Sequence, residues 1–227
     1  MSQVGIAVVG AGYWGPNLVR NFTADEGSTV RWVCDLDTDR AARLAGRYGV
    51  QGVTGDLAEV LADPDVDGVA IATPARTHAG IAEACIAAGK DMLIEKPLAS
   101  SLEAGRAIAE MADAAGAVLM TDHTFCYTST VAKIRHLVQS GDIGDFRYYD
   151  SVRVNLGLVQ ADVDVIWDLA PHDFSIIDYI LPDGVRPVSV SAVGADPLGV
   201  GHACVAYVTV QMSDGSIAHV HLNWLSP

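Results

Sequence analysis

Short, continuously apolar runs alternate with longer amphipathic runs over the first half of the chain. Each apolar run predicts a strand buried on both faces, and each longer run predicts a helix. Strands are predicted at 4–10, 29–35, 66–73, 91–96 and 117–122, and helices at 14–22, 38–49, 56–63, 76–89 and 101–116. Buried strands that alternate with helices predict an α/β domain, residues 1–122, with a doubly wound parallel sheet.

The pattern changes after residue 122, where the strands become longer and alternate between apolar and polar positions. Two helices are predicted at 129–141 and 167–181, and strands at 145–156, 187–194, 203–212 and 216–225. The residues "SDGS" between the last two strands are a hairpin signal. A second domain, residues 123–227, is therefore predicted to be α+β with a mostly antiparallel, open sheet.

Charge and cysteine content narrow the range of partners. The chain has 227 residues, 28 acidic against 14 basic, and a net charge of −14, which makes nucleic acid and anionic lipid poor partners. The four cysteines lack C-x-x-C spacing, as expected of reduced thiols. No basic leader or membrane-length apolar stretch is visible in the sequence, so a cytoplasmic protein is expected.

A glycine-rich loop follows the first predicted strand. The residues "GAGYWG" place Gly10, Gly12 and Gly15 in a G-x-G-x-x-G pattern that opens a helix. The first glycine permits a tight turn, the second lets a pyrophosphate approach the backbone, and the third lets helix and strand pack closely. The loop predicts a dinucleotide site of the Rossmann type, with Tyr13 and Trp14 among its cofactor contacts.

An acidic residue ends the second predicted strand. Asp35 lies twenty positions after Gly15, where a carboxylate can bind both ribose hydroxyls and repel a 2′-phosphate. This placement favours NAD as the cofactor. Arg40, one turn into the next helix, leaves NADP as an alternative cofactor. The competing interpretation of Asp35 is an ordinary helix-capping aspartate.

Two further strand ends lie on the same predicted edge of the sheet, where ligands of such folds bind. Thr73, Pro74 and His78 follow one strand, and Glu95 and Lys96 end the next. All five are predicted cofactor contacts, with Lys96 also facing the substrate. The alternative is a surface histidine and a solvated lysine at a strand end.

Proline follows the lysine directly. Pro97 restricts the local backbone, and a cis bond before it would aim Lys96 into the cleft.

An acid and a histidine share one face of a helix predicted in the second domain. Asp168 and His172 stand at i and i+4. A carboxylate can orient an imidazole and raise its basicity, as a general base for carbinol oxidation requires. Asp173 is the weaker candidate. The competing interpretation is a helix-capping aspartate with a partly buried histidine.

Two histidines of the last predicted strand have a spacing that can bind a metal ion. His219 and His221 lie on the same face of the last predicted strand, but no third ligand is evident in the sequence. A polar sheet face is the preferred interpretation, and no metal is predicted.

The motifs "GAGYWGPNLVRNF", "ATPARTH", "EKPLA" and "WDLAPHD" together resemble the Gfo/Idh/MocA oxidoreductases, in order and rough spacing. The resemblance implies a Rossmann domain followed by a domain whose open sheet often mediates oligomerisation. It implies that Lys96, Asp168 and His172 are catalytic, and that His123 and Tyr127 of "DHTFCY" contact the substrate. Members of this family usually continue well past "HLNWLSP", so the second domain is expected to be incomplete relative to them.

The resemblance predicts a dehydrogenase that moves a hydride between nicotinamide and a carbinol of a sugar, nucleotide sugar or cyclic polyol. Within the family, "GYWGPNLVRNF" and "WDLAPHD" look most similar to enzymes that act on nucleotide-linked or amino sugars. Two alternatives stay open: an NAD-dependent glycoside hydrolase that works by transient oxidation, and a non-catalytic NAD-binding module.

Overall fold

The structure is a computed structural model that describes residues 3–157 and 159–227. The chain divides into two compact units, Met1–Asp122 and His123–Pro227. Among the described residues, no helix has the length and apolar character needed to cross a membrane.

The first unit is a parallel sheet with helices between its strands. Its described strands are β1 (Val4–Val9), β2 (Ser28–Cys34), β3 (Gly52–Thr54), β4 (Gly68–Ile71), β5 (Asp91–Glu95) and β6 (Leu119–Asp122). Its helices are α1 (Gly15–Ala24), α2 (Thr38–Tyr48), α3 (Leu57–Ala62), α4 (Ala75–Ala87) and α5 (Leu102–Ala115). The strand order is β3-β2-β1-β4-β5-β6, with every pairing parallel.

This strand order reverses direction between β1 and β4, and such a switch point opens a crevice at the carboxyl ends of the strands. Two apolar cores hold the sheet from its two faces, one containing Ile71 and Ile94 and the other containing Val8 and Val33. The apolar runs of the sequence therefore form buried strands, as predicted. Strand β3 was not predicted, because three residues are too few to show a period.

The second unit packs helices against a mixed sheet. It contains a 3₁₀ helix (Thr124–Tyr127), α6 (Ser129–Ser140), β7 (Tyr148–Val154), α7 (Val165–Ile180), β8 (Pro187–Ala195), β9 (Val205–Met212) and β10 (Ile217–Asn223). The strand order is β7-β10-β9-β8. The β10–β9 and β9–β8 pairings are antiparallel, and the β10–β7 pairing is parallel. The sheet is thus mostly antiparallel, as predicted.

One face of this second sheet forms an apolar core with α7, around buried Trp224 and Leu222. The other face carries exposed apolar side chains, and every residue of β8 is exposed. The exposed apolar residues of this face include Tyr148, Val152, Val193 and Tyr207.

Candidate functional site

The glycine loop has the geometry that a pyrophosphate requires. Gly10 has φ of +101°, a conformation that favours glycine. A Cβ on Gly15 would lie 2.0 Å from the Gly10 carbonyl oxygen, so this turn excludes larger residues. A Cβ on Gly12, in contrast, would meet no described atom within 4 Å. Open space over Gly12, beside the start of α1, fits the approach of a dinucleotide phosphate.

Asp35 is bonded to this loop and to an arginine. Its Oδ2 accepts a hydrogen bond from the Ala11 N–H at 2.7 Å, and its Oδ1 accepts one from Arg40 Nη2 at 2.7 Å. Burial alone would raise the pKa of Asp35, but hydrogen bonds from Arg40 and from the Ala11 and Asp37 backbone lower it below its usual value. The carboxylate is therefore ionised and can accept from ribose hydroxyls.

Aromatic side chains flank the loop. Tyr13 is largely exposed and stacks on Trp14, with ring centroids 6.3 Å apart. The Trp14 Nε1–H donates to Asp122 Oδ2 at 3.4 Å, which links the loop to the end of β6. Asp122 was not predicted from the sequence, since its partner lies 108 residues away.

His78 is buried and joins two strand ends. Its side chain is 1% exposed, with Nε2 2.8 Å from the Thr73 carbonyl oxygen and Nδ1 2.9 Å from the Pro97 carbonyl oxygen. A neutral ring supplies an N–H to one of these acceptors, and a protonated ring supplies both. The histidine thereby ties the end of β4 to the residue after Lys96, across the cis Lys96–Pro97 bond.

Replacing His78 with phenylalanine is expected to lower the free energy of unfolding by about 1–3 kcal/mol. Phenylalanine keeps an aromatic ring but has no N–H, so the buried carbonyl group that accepts from the neutral imidazole loses its donor, which costs about 1–3 kcal/mol. Urea unfolding monitored by circular dichroism measures the change. His136→Phe, at an exposed site on α6, is the matched control and should leave stability within about 0.5 kcal/mol. Equal stability of the two variants would contradict this role for His78.

The remaining cofactor candidates lie at the carboxyl ends of β4 and β5. Thr73 and Pro74 follow β4, and the Thr73 hydroxyl oxygen lies 2.8 Å from the Thr77 hydroxyl. Glu95 ends β5, and Lys96 follows it directly. Burial, reinforced by the neighbouring Asp122 carboxyl, raises the pKa of Glu95 to about 9, although the Lys96 charge opposes this shift.

Helix α7 of the second unit carries the predicted acid and histidine. Asp168 is buried, and its Oδ2 accepts a hydrogen bond from the Nε1–H of the fully buried Trp224 at 3.1 Å. Trp224 was missed in the sequence because it stands 56 residues away. The tryptophan fixes the Asp168 carboxylate within the core of the second unit.

His172 packs against an aromatic ring. The rings of His172 and Phe125 meet edge to face, with centroids 4.9 Å apart. The guanidinium of Arg153, a residue of β7, lies over the Phe125 ring, 4.8 Å from its centroid. Phe125 belongs to the 3₁₀ helix of "DHTFCY", which begins after His123 and also includes the exposed Tyr127. The aromatic residues of that motif were the available signal for Phe125, which was not among the predicted site residues.

Asp173, the weaker candidate, is fully buried. Its carboxylate accepts hydrogen bonds from Ser151 Oγ at 2.6 Å, from Tyr149 Oη at 3.1 Å and from the Arg153 guanidinium. These donors all belong to β7. The network gives Asp173 a structural role, since it joins α7 to the edge of the sheet.

The two histidines of β10 lie on one sheet face, as predicted. Tyr207 of β9 stacks on both, with its centroid 4.4 Å from that of His221 and 6.0 Å from that of His219. His219 Nδ1 is 3.5 Å from Asp150 Oδ1. Within residues 3–157 and 159–227, no three histidine, cysteine or acidic side chains are grouped so as to hold a metal ion.

Fold and glycine-loop geometry together define the first unit as a dinucleotide-binding domain. The family model described as "Oxidoreductase family, NAD-binding Rossmann fold" matches residues 4–123, and the GFO/IDH/MocA C-terminal domain matches residues 131–227. The chain belongs to the Gfo/Idh/MocA family of oxidoreductases.

Several characterised proteins are similar to this chain. Scyllo-inositol 2-dehydrogenase (NAD(+)) of Bacillus subtilis is 30% identical over 85% of this chain and 57% of its own length. UDP-N-acetylglucosamine 3-dehydrogenase of Acidithiobacillus ferrooxidans is 30% identical over 97% of this chain and 67% of its own length. The crystal structure of GenD2 from gentamicin A biosynthesis, in complex with NAD, superposes with a TM-score of 0.92 at 30% identity, over 100% of this chain and 67% of that one. The chain thus spans little more than half of the first of these relatives.

Proposed function

We propose that this protein is an NAD-dependent dehydrogenase that oxidises a ring carbinol of a sugar, nucleotide sugar or cyclic polyol. The observation that most supports this proposal is the position of Lys96. It directly follows β5 at the edge of the sheet that also bears the glycine loop and Asp35. The names of the two 30% identical relatives, dehydrogenases of an inositol and of a nucleotide sugar, support this substrate class.

Bound NAD would supply the hydride acceptor, and the side chains of this chain would handle position and proton. The glycine loop would hold the pyrophosphate, with Tyr13 and Trp14 beside it. Asp35 would accept from the adenosine ribose. Thr73, Pro74 and Glu95 would line the nicotinamide half of the site.

Proton transfer is assigned to two side chains. The Lys96 ammonium would donate a hydrogen bond to the carbinol oxygen, and the His172 imidazole would take the hydroxyl proton as the carbinol is oxidised. Asp168 would stabilise the protonated imidazole electrostatically. The Trp224 hydrogen bond and the burial of Asp168 support this role, because they hold the carboxylate in one orientation. His123 and Tyr127 are the proposed substrate contacts.

The choice between NAD and NADP is proposed to rest on the Asp35–Arg40 ion pair. Asp35→Ser should weaken NADH binding and strengthen NADPH binding, shifting the ratio of their dissociation constants by about 10–100-fold. The reason is that Arg40, which now bonds Asp35 at 2.7 Å, is released to bind a 2′-phosphate. Fluorescence titration with each reduced cofactor measures the ratio. Asp39→Ser, in the same turn of α2, is the control. An unchanged ratio in Asp35→Ser would count against the proposed pair.

The exposed apolar face of the second sheet is proposed as a contact between copies of the chain. A cytoplasmic location is proposed as well, and the free thiols of the four cysteines fit it.

A screen of nucleotide sugars, free sugars and cyclic polyols with NAD and NADP tests the proposal, read by the absorbance of the reduced cofactor. Reduced cofactor that forms in proportion to oxidised sugar supports the dehydrogenase. Free sugar released from a glycoside without net reduced cofactor would identify the hydrolase instead. NAD binding with no turnover across the screen would indicate the non-catalytic module.

A further inference from the structure

Two carboxyl groups end adjacent strands at the edge of the first sheet. Glu95 is the last residue of β5, Asp122 is the last residue of β6, and the two are direct partners in the parallel register. Register partners in a parallel pair project their side chains from the same face of the sheet. The two carboxyl side chains therefore lie side by side at this edge of the sheet, and Asp122 is only 9% exposed.

A hydrogen bond between two carboxyl groups requires a proton, because an ionised carboxylate can only accept. Two adjacent carboxyl groups out of water repel one another when both are ionised, and one proton held between them removes that repulsion. The charged groups that face Glu95 are the Asp122 carboxyl on the adjacent strand and the ammonium of Lys96, next in the chain. The positive charge of Lys96 favours the negative charge that would remain on a pair sharing one proton. The second carboxyl oxygen of Glu95, Oε1, is buried and has no hydrogen-bond partner among the described residues.

The pair also contacts both parts of the proposed site that surround it. Asp122 Oδ2 accepts from the Trp14 indole N–H of the glycine loop at 3.4 Å. Glu95 is joined to Lys96 directly by the peptide bond between them. The carboxyl pair thus connects the loop that would bind the pyrophosphate to the residue that would meet the substrate.

We propose that Glu95 and Asp122 act as a positioning pair that shares one proton, and that this proton holds Trp14 and Lys96 in the arrangement that binds NAD. The inference rests on the proposed NAD-dependent function. Loss of the proton would leave two adjacent buried carboxylates, whose mutual repulsion would move the Trp14 loop and the Lys96 strand end apart. Burial and Asp122 raise the pKa of Glu95 to about 9, so the pair is intact at neutral pH and is lost in the alkaline range.

Two measurements on the whole chain test the pair. The first is infrared difference spectroscopy at pH 8, where ordinary carboxyl groups are ionised. Wild type should show the C=O stretch of a protonated carboxylic acid, and Glu95→Gln should lack it. Asp122→Asn, a second variant in case the first does not fold, should lose the band at a lower pH than wild type, because the neighbouring negative charge that raises the pKa of Glu95 is gone. Absence of the band from wild type would overturn the shared proton.

The second measurement is NADH binding by fluorescence between pH 7.5 and pH 10. The affinity of wild type for NADH is expected to fall about tenfold by pH 10, because the protonated fraction of Glu95 falls about tenfold for each pH unit above its pKa of about 9. Glu95→Gln, whose amide still donates to Asp122, should bind with a nearly constant affinity. Glu103→Gln, at an exposed position in the first turn of α5, is the control and should follow wild type.

The outcomes separate this inference from the proposed function. An equal alkaline fall in wild type and Glu95→Gln would overturn the positioning role. Wild type that shows the infrared band but binds no NADH at pH 7.5 would overturn the proposed function and, with it, the positioning role, while the shared proton itself would stand.

Discussion

Lys96→Met is expected to lower the turnover of the substrate identified by the screen by about 10²–10⁴-fold, the usual effect of losing a proton-handling group. Methionine keeps the length and the apolar stem of lysine but removes the ammonium. The carbinol oxygen would lose its donor, while the glycine loop and Asp35, which lie on other strands, would keep their contacts. Steady-state kinetics and NADH titration together check the result, with turnover lost and the NADH dissociation constant within a few-fold of wild type.

Lys133→Met provides the matched control for this change. Lys133 lies at an exposed position of α6, so its replacement removes the same charge from the chain without touching the proposed site. The control should turn over substrate at the wild-type rate. Near-normal turnover in Lys96→Met would show that Lys96 is not catalytic, and lost NADH binding in that variant would instead make it a cofactor ligand.

Asp173→Asn is expected to lower the free energy of unfolding by about 3–5 kcal/mol, the cost of breaking a buried ion pair from one side. Asparagine has nearly the same shape, so the change leaves little cavity. It removes the negative charge that neutralises Arg153, whose side chain is only 20% exposed, and disturbs the bonds from Tyr149 and Ser151. Urea unfolding monitored by circular dichroism measures the loss.

Asp178→Asn is the comparison for Asp173→Asn, since Asp178 lies on the same helix at an exposed position. Exposed substitutions of this kind change stability by about 0.5 kcal/mol or less. If both variants unfolded at the same urea concentration, the buried network between α7 and β7 would not contribute to stability as we argue. If Asp173→Asn kept its stability but lost turnover, Asp173 would belong to the catalytic group.

The first unit was predictable from sequence because its signals are local. A buried parallel strand is apolar throughout, and its neighbouring helix ends at a glycine, as α2 does at Gly49 and α5 at Gly116. The G-x-G-x-x-G spacing marks the loop between β1 and α1 without reference to any distant residue. Strand β3 escaped prediction because it has three residues, and the parallel β10–β7 pairing escaped because nothing local encodes which strands pair.

The roles of single side chains in the site were less predictable. The sequence identified His78 as a cofactor contact, and the structure buries it with both ring nitrogens against backbone carbonyls. It made Asp173 the weaker catalytic candidate, and the structure surrounds its carboxylate with donors from β7. In both cases the partners come from other elements, so their identity depended on packing that no short stretch of sequence contains.

The lysines illustrate the division between the two kinds of information. Lys90 and Lys96 flank the same strand, β5. The apolar run placed Lys96 at a strand end, and the direction of a parallel strand placed it at the ligand-binding edge. Only the folded chain showed that Lys90 is buried and donates to the Asp63 and Val66 carbonyl oxygens. It also showed that Glu95, beside Lys96, is the register partner of Asp122 on the adjacent strand.

Apolar periodicity, glycine spacing and strand direction thus specified the class of fold, the edge that binds a dinucleotide and the residues that lie along it, because each follows from backbone geometry over a few residues. The protonation, burial and partners of those residues came from contacts between chain segments far apart in sequence. The Trp14–Asp122 and Asp168–Trp224 hydrogen bonds are such contacts, and they form only when strands and helices pack. Electrostatics in a site depends on those neighbours and on exclusion of water, which are properties of the folded structure.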